Sequence, residues 1–241
     1  MKMAHQSTGQ IRTSGIMACM SDIRVVPPVH AFLPIEADPD YEIGLAAHLK
    51  ASHAPTQLLE LYDRFSSCAS EFHAMMRRVL WRALVRKMGH GARIGQGVRF
   101  SHPETFEIGD AVFIGDGAHI QGRFDGYCHL GNRAWIGPQS FLDARALSVG
   151  NHAAIGPGAR VLGSEHTGQP PKAPVMATDL VIRPVRIGDG ADIGVGAILM
   201  PGITVGEGAI VGAGSVVNSD VQPFAVVAGT PARFLRSRDK C

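Results

Sequence analysis

The chain has 241 residues, of which 29 are glycine, 45% are hydrophobic and only 6% are aromatic. This length suits one sizeable domain with an appendage, and so few aromatic residues do not suggest a core built around large rings. A formal net charge of +2 gives no electrostatic case for binding nucleic acid, which calls for a strongly basic face. The apolar runs are shorter than the about 20 residues that a membrane span needs.

The cysteines and the amino terminus indicate where the protein works. Cys19, Cys68, Cys128 and Cys241 are far apart and form no C-x-x-C pair. This spacing argues against a disulfide framework and against a thiolate zinc site, and it fits a reducing compartment. The first residues lack the continuous apolar stretch of a signal peptide. We therefore expect a soluble, cytoplasmic protein.

The first 90 residues contain two kinds of segment. Residues 1–40 have four prolines and no usable period, which predicts a loose arm. Residues 41–90 carry apolar side chains at three- and four-residue steps, which predicts helices. Pro55 is a probable boundary, and Ser67 or Ser70 could cap a final helix that runs to Met88.

The basic residues of that final helix have two interpretations. They are Arg77, Arg78, Arg82, Arg86 and Lys87. A basic helix can bind an anionic surface, but cations also suit the carboxyl end of any helix because of its dipole. The favoured interpretation is a solvated helix end.

From Ile94 onward the sequence has a period of six. Branched aliphatic residues stand at strict six-residue spacing in the clearest stretch: Ile187, Ile193, Leu199, Val205, Val211 and Val217. The fifth position of the repeat is small, at Ala191, Ala197, Ala209 and Ser215. An earlier stretch from Ile94 to Val161 follows the same pattern, with slips of two to four residues between its runs.

A strict period of six fits neither a helix, which repeats at 3.6, nor a single strand, which repeats at 2. It fits a coil with three flat sides, in which one aliphatic residue per side points inward and stacks on its equivalents above and below. A sandwich or Greek key would not hold one phase over so many repeats. We therefore predict a mainly β fold: a left-handed parallel β-helix, or triangular prism, over 91–222, with a helical segment before it and a carboxyl-terminal tail at 223–241.

One long interruption breaks the prism. The period lapses after Val161 and resumes near Ile187, which predicts an extended loop at 162–186, and His166 stands at its root. Excursions from a regular scaffold are where function concentrates. Histidine is the side chain whose unperturbed pKa suits a general base near neutral pH. On the residues alone, His166 is equally well read as a loop histidine that packs against Pro170 and Pro171.

The repeat resembles the hexapeptide-repeat acyltransferases, in particular the sugar O-acetyltransferases. The resemblance lies in Ile187-Gly-Asp-Gly-Ala-Asp-Ile193, Val211-Gly-Ala-Gly-Ser-Val-Val217 and Ala228-Gly-Thr-Pro-Ala-Arg233. It implies a homotrimer with active sites between neighbouring prisms, acetyl-CoA as the acyl donor, and no metal. It also implies that His166, which follows an Ile155-Gly-Pro hexapeptide, is the general base.

The resemblance implies further site residues. Val195 and Ala213 match positions that line the pantetheine arm, Asn218 and Ser219 lie near the phosphates, and Arg233 and Arg236 match a basic tail that meets the nucleotide. The family often has Thr-Lys where this chain has Asn218-Ser219, which removes one phosphate cation. An ordinary solvated terminus is the other interpretation of the two arginines. Asp143 matches an acceptor-binding position and is the favoured carboxylate to orient His166. Glu165, the neighbour of His166 in sequence, is the second candidate for this role. The alternative interpretation of Asp143 is a solvated aspartate at a corner of the prism.

Other functions of the same fold are less well supported. The γ carbonic anhydrases bind zinc through three histidines, but the prism histidines His119, His129 and His152 lack the close pair that such a site needs. The acceptor is expected to be a small molecule or saccharide, with a sugar hydroxyl first and the amine of an amino sugar second. A non-catalytic trimeric scaffold is the rival from another class, and it has no use for the His166 loop.

Overall fold

The structure, a computed structural model, describes residues 24–28 and 34–239, and it divides at Leu33 into two units. In the first unit, residues 24–28 have no regular secondary structure and are exposed. Most of the predicted arm, residues 1–23 and 29–33, lies outside the described residues, as do Cys19 and Cys241.

Three helices open the second unit: α1 (Asp40–Ser52), α2 (Pro55–Phe65) and α3 (Glu71–Leu84). Pro55 begins α2, and Ser70 caps α3 by accepting a 3.3 Å hydrogen bond from the backbone of His73. The expectation that α3 runs to Met88 is wrong, because the chain turns at Val85 and Lys87–Met88 already pairs with the strand Phe106–Ile108.

The basic residues of α3 fasten the helices to the rest of the molecule. Arg77 is buried and donates hydrogen bonds to the carbonyls of Ile94 (2.9 Å), Phe65 (3.1 Å) and Cys68 (2.8 Å). Arg78 pairs with Glu42 at 2.7 Å, and Arg82 pairs with Asp38. The interpretation of a solvated helix end is therefore wrong for Arg77, Arg78 and Arg82, because each has a partner distant in sequence.

The rest of the described chain, residues 85–239, forms 22 short strands, most of which stack in parallel into three sheets. The first sheet contains β1 (Lys87–Met88), β4 (Phe106–Ile108), β7 (Tyr127–Leu130), β10 (Ala146–Val149), β15 (Val185–Ile187) and β18 (Thr204–Val205). The second contains β2 (Arg93–Ile94), β5 (Phe113–Ile114), β8 (Trp135–Ile136), β11 (Ala154–Ile155), β16 (Asp192–Ile193), β19 (Ile210–Val211), β21 (Ala225–Gly229) and β22 (Ala232–Ser237). The third contains β3 (Arg99–Ser101), β6 (His119–Gln121), β9 (Phe141–Asp143), β12 (Arg160–Val161), β17 (Ile198–Leu199) and β20 (Val216–Val217). Together they are the three sides of a left-handed parallel β-helix, as predicted.

The period-six residues form the core of the prism. Ile187 pairs with Val205 and Ile193 with Val211, so that a full coil takes 18 residues and each side takes six. All six aliphatic residues from Ile187 to Val217 are buried, and the small residues of the fifth position lie beside them. The prediction of an inward stack is confirmed.

Every slip of the period falls at one corner, where the third sheet passes into the first. The intervals longer than six run from Phe100 to Ile108, Ile120 to Leu130, Leu142 to Val149 and Val161 to Ile187. We call this edge the insertion corner; its extra residues lie in segments 102–105, 122–126, 144–145 and 162–184. The other two corners keep the regular period, so the departures from the repeat are concentrated along one line.

Two segments are more ordered than expected. The extended loop contains an antiparallel hairpin of β13 (Ser164–His166) and β14 (Leu180–Ile182). Residues after 222 are not a simple tail, because β21 continues the second sheet beside β19 and β22 folds back antiparallel to β21. The prism therefore extends past its predicted end.

Candidate functional site

The hairpin at the insertion corner presents His166 at the end of its first strand, opposite Leu180. The hairpin leaves the prism immediately after the buried Val161 of the third sheet. Arg183 closes the hairpin where it leaves the prism. The backbone N–H of Arg183 donates to the carbonyl of Gly163, and its guanidinium pairs with Glu165 at 2.7 Å. The half-buried imidazole of His166 thus has a defined position outside the regular coil.

The imidazole is oriented by a backbone carbonyl. Its Nδ1 lies 2.9 Å from the carbonyl oxygen of Thr178, across the hairpin. Because a carbonyl can only accept, this contact assigns a proton to Nδ1, and the neutral form of the ring then carries its lone pair on Nε2. A histidine in this tautomer can take a proton from a hydroxyl or amine at Nε2.

Thr178 is a residue of the candidate site that sequence reasoning missed. It is buried, its hydroxyl donates to the carbonyl of Val175 at 2.6 Å, and the same oxygen accepts from the backbone of Gly168 at 3.1 Å. These bonds fix the peptide whose carbonyl holds His166. No pattern of side chains in the sequence predicts this contact, since it is a main-chain atom of Thr178 that meets His166.

Neither carboxylate proposed to orient His166 does so in this structure. Glu165 is exposed and pairs with Arg183. Asp143 is buried and accepts a 2.6 Å hydrogen bond from the hydroxyl of Ser164, with Arg145 at 3.3 Å. The expectation of a solvated corner aspartate is also wrong, because Asp143 ties its own coil to the root of the hairpin.

Val195 and Ala213 occupy the corner between the second and third sheets. They stand one above the other, since Gly214 donates to the carbonyl of Val195 at 2.8 Å, and both are exposed. Strand β21 continues this column through Gly229, whose amide donates to the hydroxyl of Ser215 at 3.1 Å. The exposed Arg233 pairs with Ala228 at the same end of β22.

The remaining predicted residues lie elsewhere on the prism. Asn218 and Ser219 are exposed at the insertion corner, directly after β20. Arg236 is exposed on β22 and pairs with Val226. It therefore lies farther from the corner of Val195 and Ala213 than Arg233 does. Within one chain, His166, Asn218 and Ser219 thus share one corner, whereas Val195, Ala213 and Arg233 share another, and the third sheet runs between them.

Among the described residues, neither the cysteines nor the side chains that could bind a metal form a second functional site. Burial raises the pKa of Cys128 to about 12, whereas hydrogen bonds with Ser70 lower the pKa of the exposed Cys68. Within residues 24–28 and 34–239, no group of three or more His, Cys, Asp or Glu side chains is placed to hold a metal ion. The helices of this same region are all too short or too polar to cross a membrane.

Comparison with known proteins relates the repeat to a family. Residues 184–219 match the family described as hexapeptide repeat of succinyl-transferase. Nodulation protein L of Rhizobium meliloti (strain 1021) is 42% identical over 127 residues, which cover 50% of this chain and 67% of that protein.

Solved structures show the same architecture. A hexapeptide-repeat acetyltransferase from Vibrio cholerae O1 biovar eltor, complexed with acetyl coenzyme A, is 26% identical with a TM-score of 0.53, covering 82% of this chain and 87% of that chain. A variant of AntD, an N-acyltransferase from Bacillus cereus in complex with dTDP and coenzyme A, is 21% identical with a TM-score of 0.60, covering 71% and 91% of the two chains. At 21% identity, the similarity to AntD concerns the fold alone. With its repeat, its prism and a relative 42% identical over two thirds of that protein's length, the chain belongs to the hexapeptide-repeat acyltransferase family.

Proposed function

We propose that this acyltransferase moves an acetyl group from acetyl-CoA to a hydroxyl of a sugar or saccharide, with His166 as general base. The observation that carries the proposal is the contact of 2.9 Å between Nδ1 of His166 and the carbonyl of Thr178. It leaves Nε2 available to accept a proton, on the long hairpin that departs from the prism after Val161. A non-catalytic scaffold would have no use for an imidazole held in this way.

The proposed reaction is a direct transfer. Donor and acceptor bind together, Nε2 of His166 takes the proton of the acceptor hydroxyl, and the oxygen attacks the thioester carbonyl. A backbone amide stabilises the oxyanion, and the thiolate of coenzyme A leaves with the proton that His166 returns. Glu165 and Asp143 are proposed acceptor contacts, since Glu165 adjoins His166 in sequence and Asp143 accepts a hydrogen bond from Ser164 at the root of the hairpin.

The donor is proposed to lie along the column of Val195 and Ala213, with its phosphates near Arg233 and Arg236 of the same chain and near Asn218 and Ser219 at the insertion corner of the neighbouring chain. Small residues at an exposed corner let the pantetheine arm approach backbone amides, and a guanidinium suits phosphate oxygens. The Vibrio cholerae relative was solved with acetyl coenzyme A, which supports this donor class.

We also propose a homotrimer that works in the cytoplasm. In one chain His166 and the Val195 column lie on different corners of the prism, so a site that uses both is assembled when the insertion corner of one chain meets the column of the next. Partly buried apolar side chains on the outer faces of the second and third sheets, such as Trp135 and Phe141, offer surface for such contacts.

A thiol-release assay with acetyl-CoA over a panel of sugars, oligosaccharides and amino sugars tests the proposal. His166→Ala is expected to lower kcat by about 10²–10⁴-fold with little change in the KM of acetyl-CoA. The matched control is His129→Ala, an exposed histidine on the first sheet, which should keep wild-type turnover. Wild-type turnover by His166→Ala would exclude His166 as the base, and acetylation only of amines would replace the O-acetyl assignment by an N-acetyl one.

A further inference from the structure

We infer that the insertion corner carries a second sugar subsite centred on Phe124, so that the acceptor is an oligosaccharide and not a free monosaccharide. This inference rests on the proposed function and deepens it. It concerns segments 102–105 and 122–126, which belong to coils that neither the general base nor the donor column uses.

Phe124 is an aromatic platform open to solvent. Its side chain is 68% exposed on the turn between β6 and β7. The guanidinium of Arg123 lies 5.2 Å from the ring centroid, and the ring of His102 lies 6.2 Å away at 63°. Arg123 thus lies over one face of the ring and His102 approaches in an edge arrangement, and the exposure of the side chain leaves the opposite face available to a ligand.

The turn that carries Phe124 is held against both adjacent coils. A methyl group on Gly122 would come within 2.6 Å of the carbonyl oxygen of Ser101, and one on Gly126 would overlap the carbonyl oxygen of Arg145. Both glycines therefore allow a close approach of backbones that no other residue permits. A platform fixed in this way loses little freedom when a ligand binds.

The polar groups around Phe124 suit a neutral ligand rich in hydroxyls. Arg123 donates to Asp125 at 2.6 Å, and the ring of His102 lies 2.9 Å from the carboxylate of Glu104. Arg123 is matched by Asp125, and Glu104 adds a second carboxylate, so the cluster has no excess of positive charge with which to attract a phosphate. Sugars combine an apolar ring face, which stacks on an aromatic ring, with hydroxyls that both donate and accept.

The subsite is aligned with the general base. Segments 102–105, 122–126, 144–145 and 162–184 follow one another on four successive coils. Stacked parallel strands are about 4.8 Å apart, so Phe124 lies two coil steps from the root of the His166 hairpin. Arg145 and Asp143 occupy the coil between them and contact Ser164 at that root. A single sugar ring placed at His166 does not reach Phe124, whereas an oligosaccharide along the corner does.

A chain-length series of acceptors tests the inference. Glucose, maltose, maltotriose and maltotetraose, and the corresponding N-acetylglucosamine series, are assayed by thiol release with acetyl-CoA. In whichever series is acetylated, kcat/KM should rise with chain length. Phe124→Ala should raise the KM of the longest acceptor about tenfold, a loss that corresponds to about 1.4 kcal/mol of stacking, and should leave kcat and the monosaccharide kinetics unchanged.

Three controls separate this subsite from other causes. Phe124→Trp should restore the KM for long acceptors, and Phe72→Ala, which removes an exposed phenylalanine of α3, should change nothing. The native mass of Phe124→Ala should equal that of the wild type; a changed mass would make Phe124 a contact between chains and overturn the inference. Equal kcat/KM for short and long acceptors would also overturn it while leaving the proposed function intact, whereas absence of thiol release with every sugar would count against the proposed function.

Discussion

One backbone contact orients the imidazole of His166, the proposed general base. Nδ1 is committed to the carbonyl of Thr178 at 2.9 Å, so that Nε2 is the nitrogen left to act as a base. The carbonyl is itself fixed by the hydroxyl of Thr178, which bridges the carbonyl of Val175 and the amide of Gly168. The orientation of the base therefore depends on the internal order of the hairpin.

Replacement of this hydroxyl should weaken catalysis without removing the base. Thr178→Val keeps the shape of the side chain and the carbonyl but loses both hydroxyl hydrogen bonds, which leaves the peptide free to tilt. We expect kcat to fall about tenfold, the size of effect that a small misplacement of a catalytic group produces, with an unchanged KM for acetyl-CoA. Steady-state kinetics measure both constants, and Thr178→Ser is the control that should stay close to wild type. An unchanged kcat in Thr178→Val would show that the hydroxyl does not position His166.

At the scale of elements, the helices are attached to the prism by buried cationic contacts as well as by apolar packing. Arg77 reaches the carbonyls of Phe65, the last residue of α2, of Cys68 just after it, and of Ile94, the first aliphatic residue of the six-residue repeat. Trp81 of α3 is buried with its ring 4.8 Å from that of Phe100. The helical segment thus covers the first coils of the prism, where a solenoid would otherwise expose its core.

Removal of the buried guanidinium should loosen this attachment. Arg77→Met keeps much of the volume but leaves three carbonyls without their donor, and we expect the free energy of unfolding to fall by about 3 kcal/mol. Urea denaturation at a fixed protein concentration measures the change, and hydrogen exchange of the α3 amides shows whether the loss is local. Arg86→Met is the matched control, since Arg86 is largely exposed and its 3.5 Å pair with Glu107 is worth little. If both variants unfolded alike, the buried contacts would not be what fastens α3.

At the scale of the whole molecule, the prism separates the two halves of the proposed chemistry. His166 projects from the insertion corner, while Val195 and Ala213 lie on the corner between the second and third sheets. A rigid three-sided coil cannot bend one corner toward another. Neighbouring chains are therefore the means by which base and donor are expected to meet.

The native mass of the protein tests this arrangement. We expect light scattering coupled to gel filtration to give three times the chain mass of 25.6 kDa. Mixing His166→Ala with a donor-column variant such as Ala213→Trp, after dissociation and reassociation, should restore part of the activity that each variant lacks. Such restoration is expected because some interfaces then combine an intact His166 with an intact column. A monomer with full activity would rule out the shared site.

The repeat was readable from the chain because its cause is local and periodic. One inward aliphatic residue per side must stack on its equivalents in every coil, so Ile187 to Val217 show the prism without reference to any distant partner. His166 could be singled out for the same reason, since it stands where the period fails. The hydrogen bond with Thr178, the burial of Arg77 and the ion pair of Arg78 with Glu42 could not be read in this way. Each of them joins residues distant in sequence, often through a main-chain atom, and only the packing of the helices and the folding of the hairpin bring such partners together. The stacking of the coils aligns all the interruptions at one corner, which joins the separate slips of the period into a continuous surface beside the proposed general base.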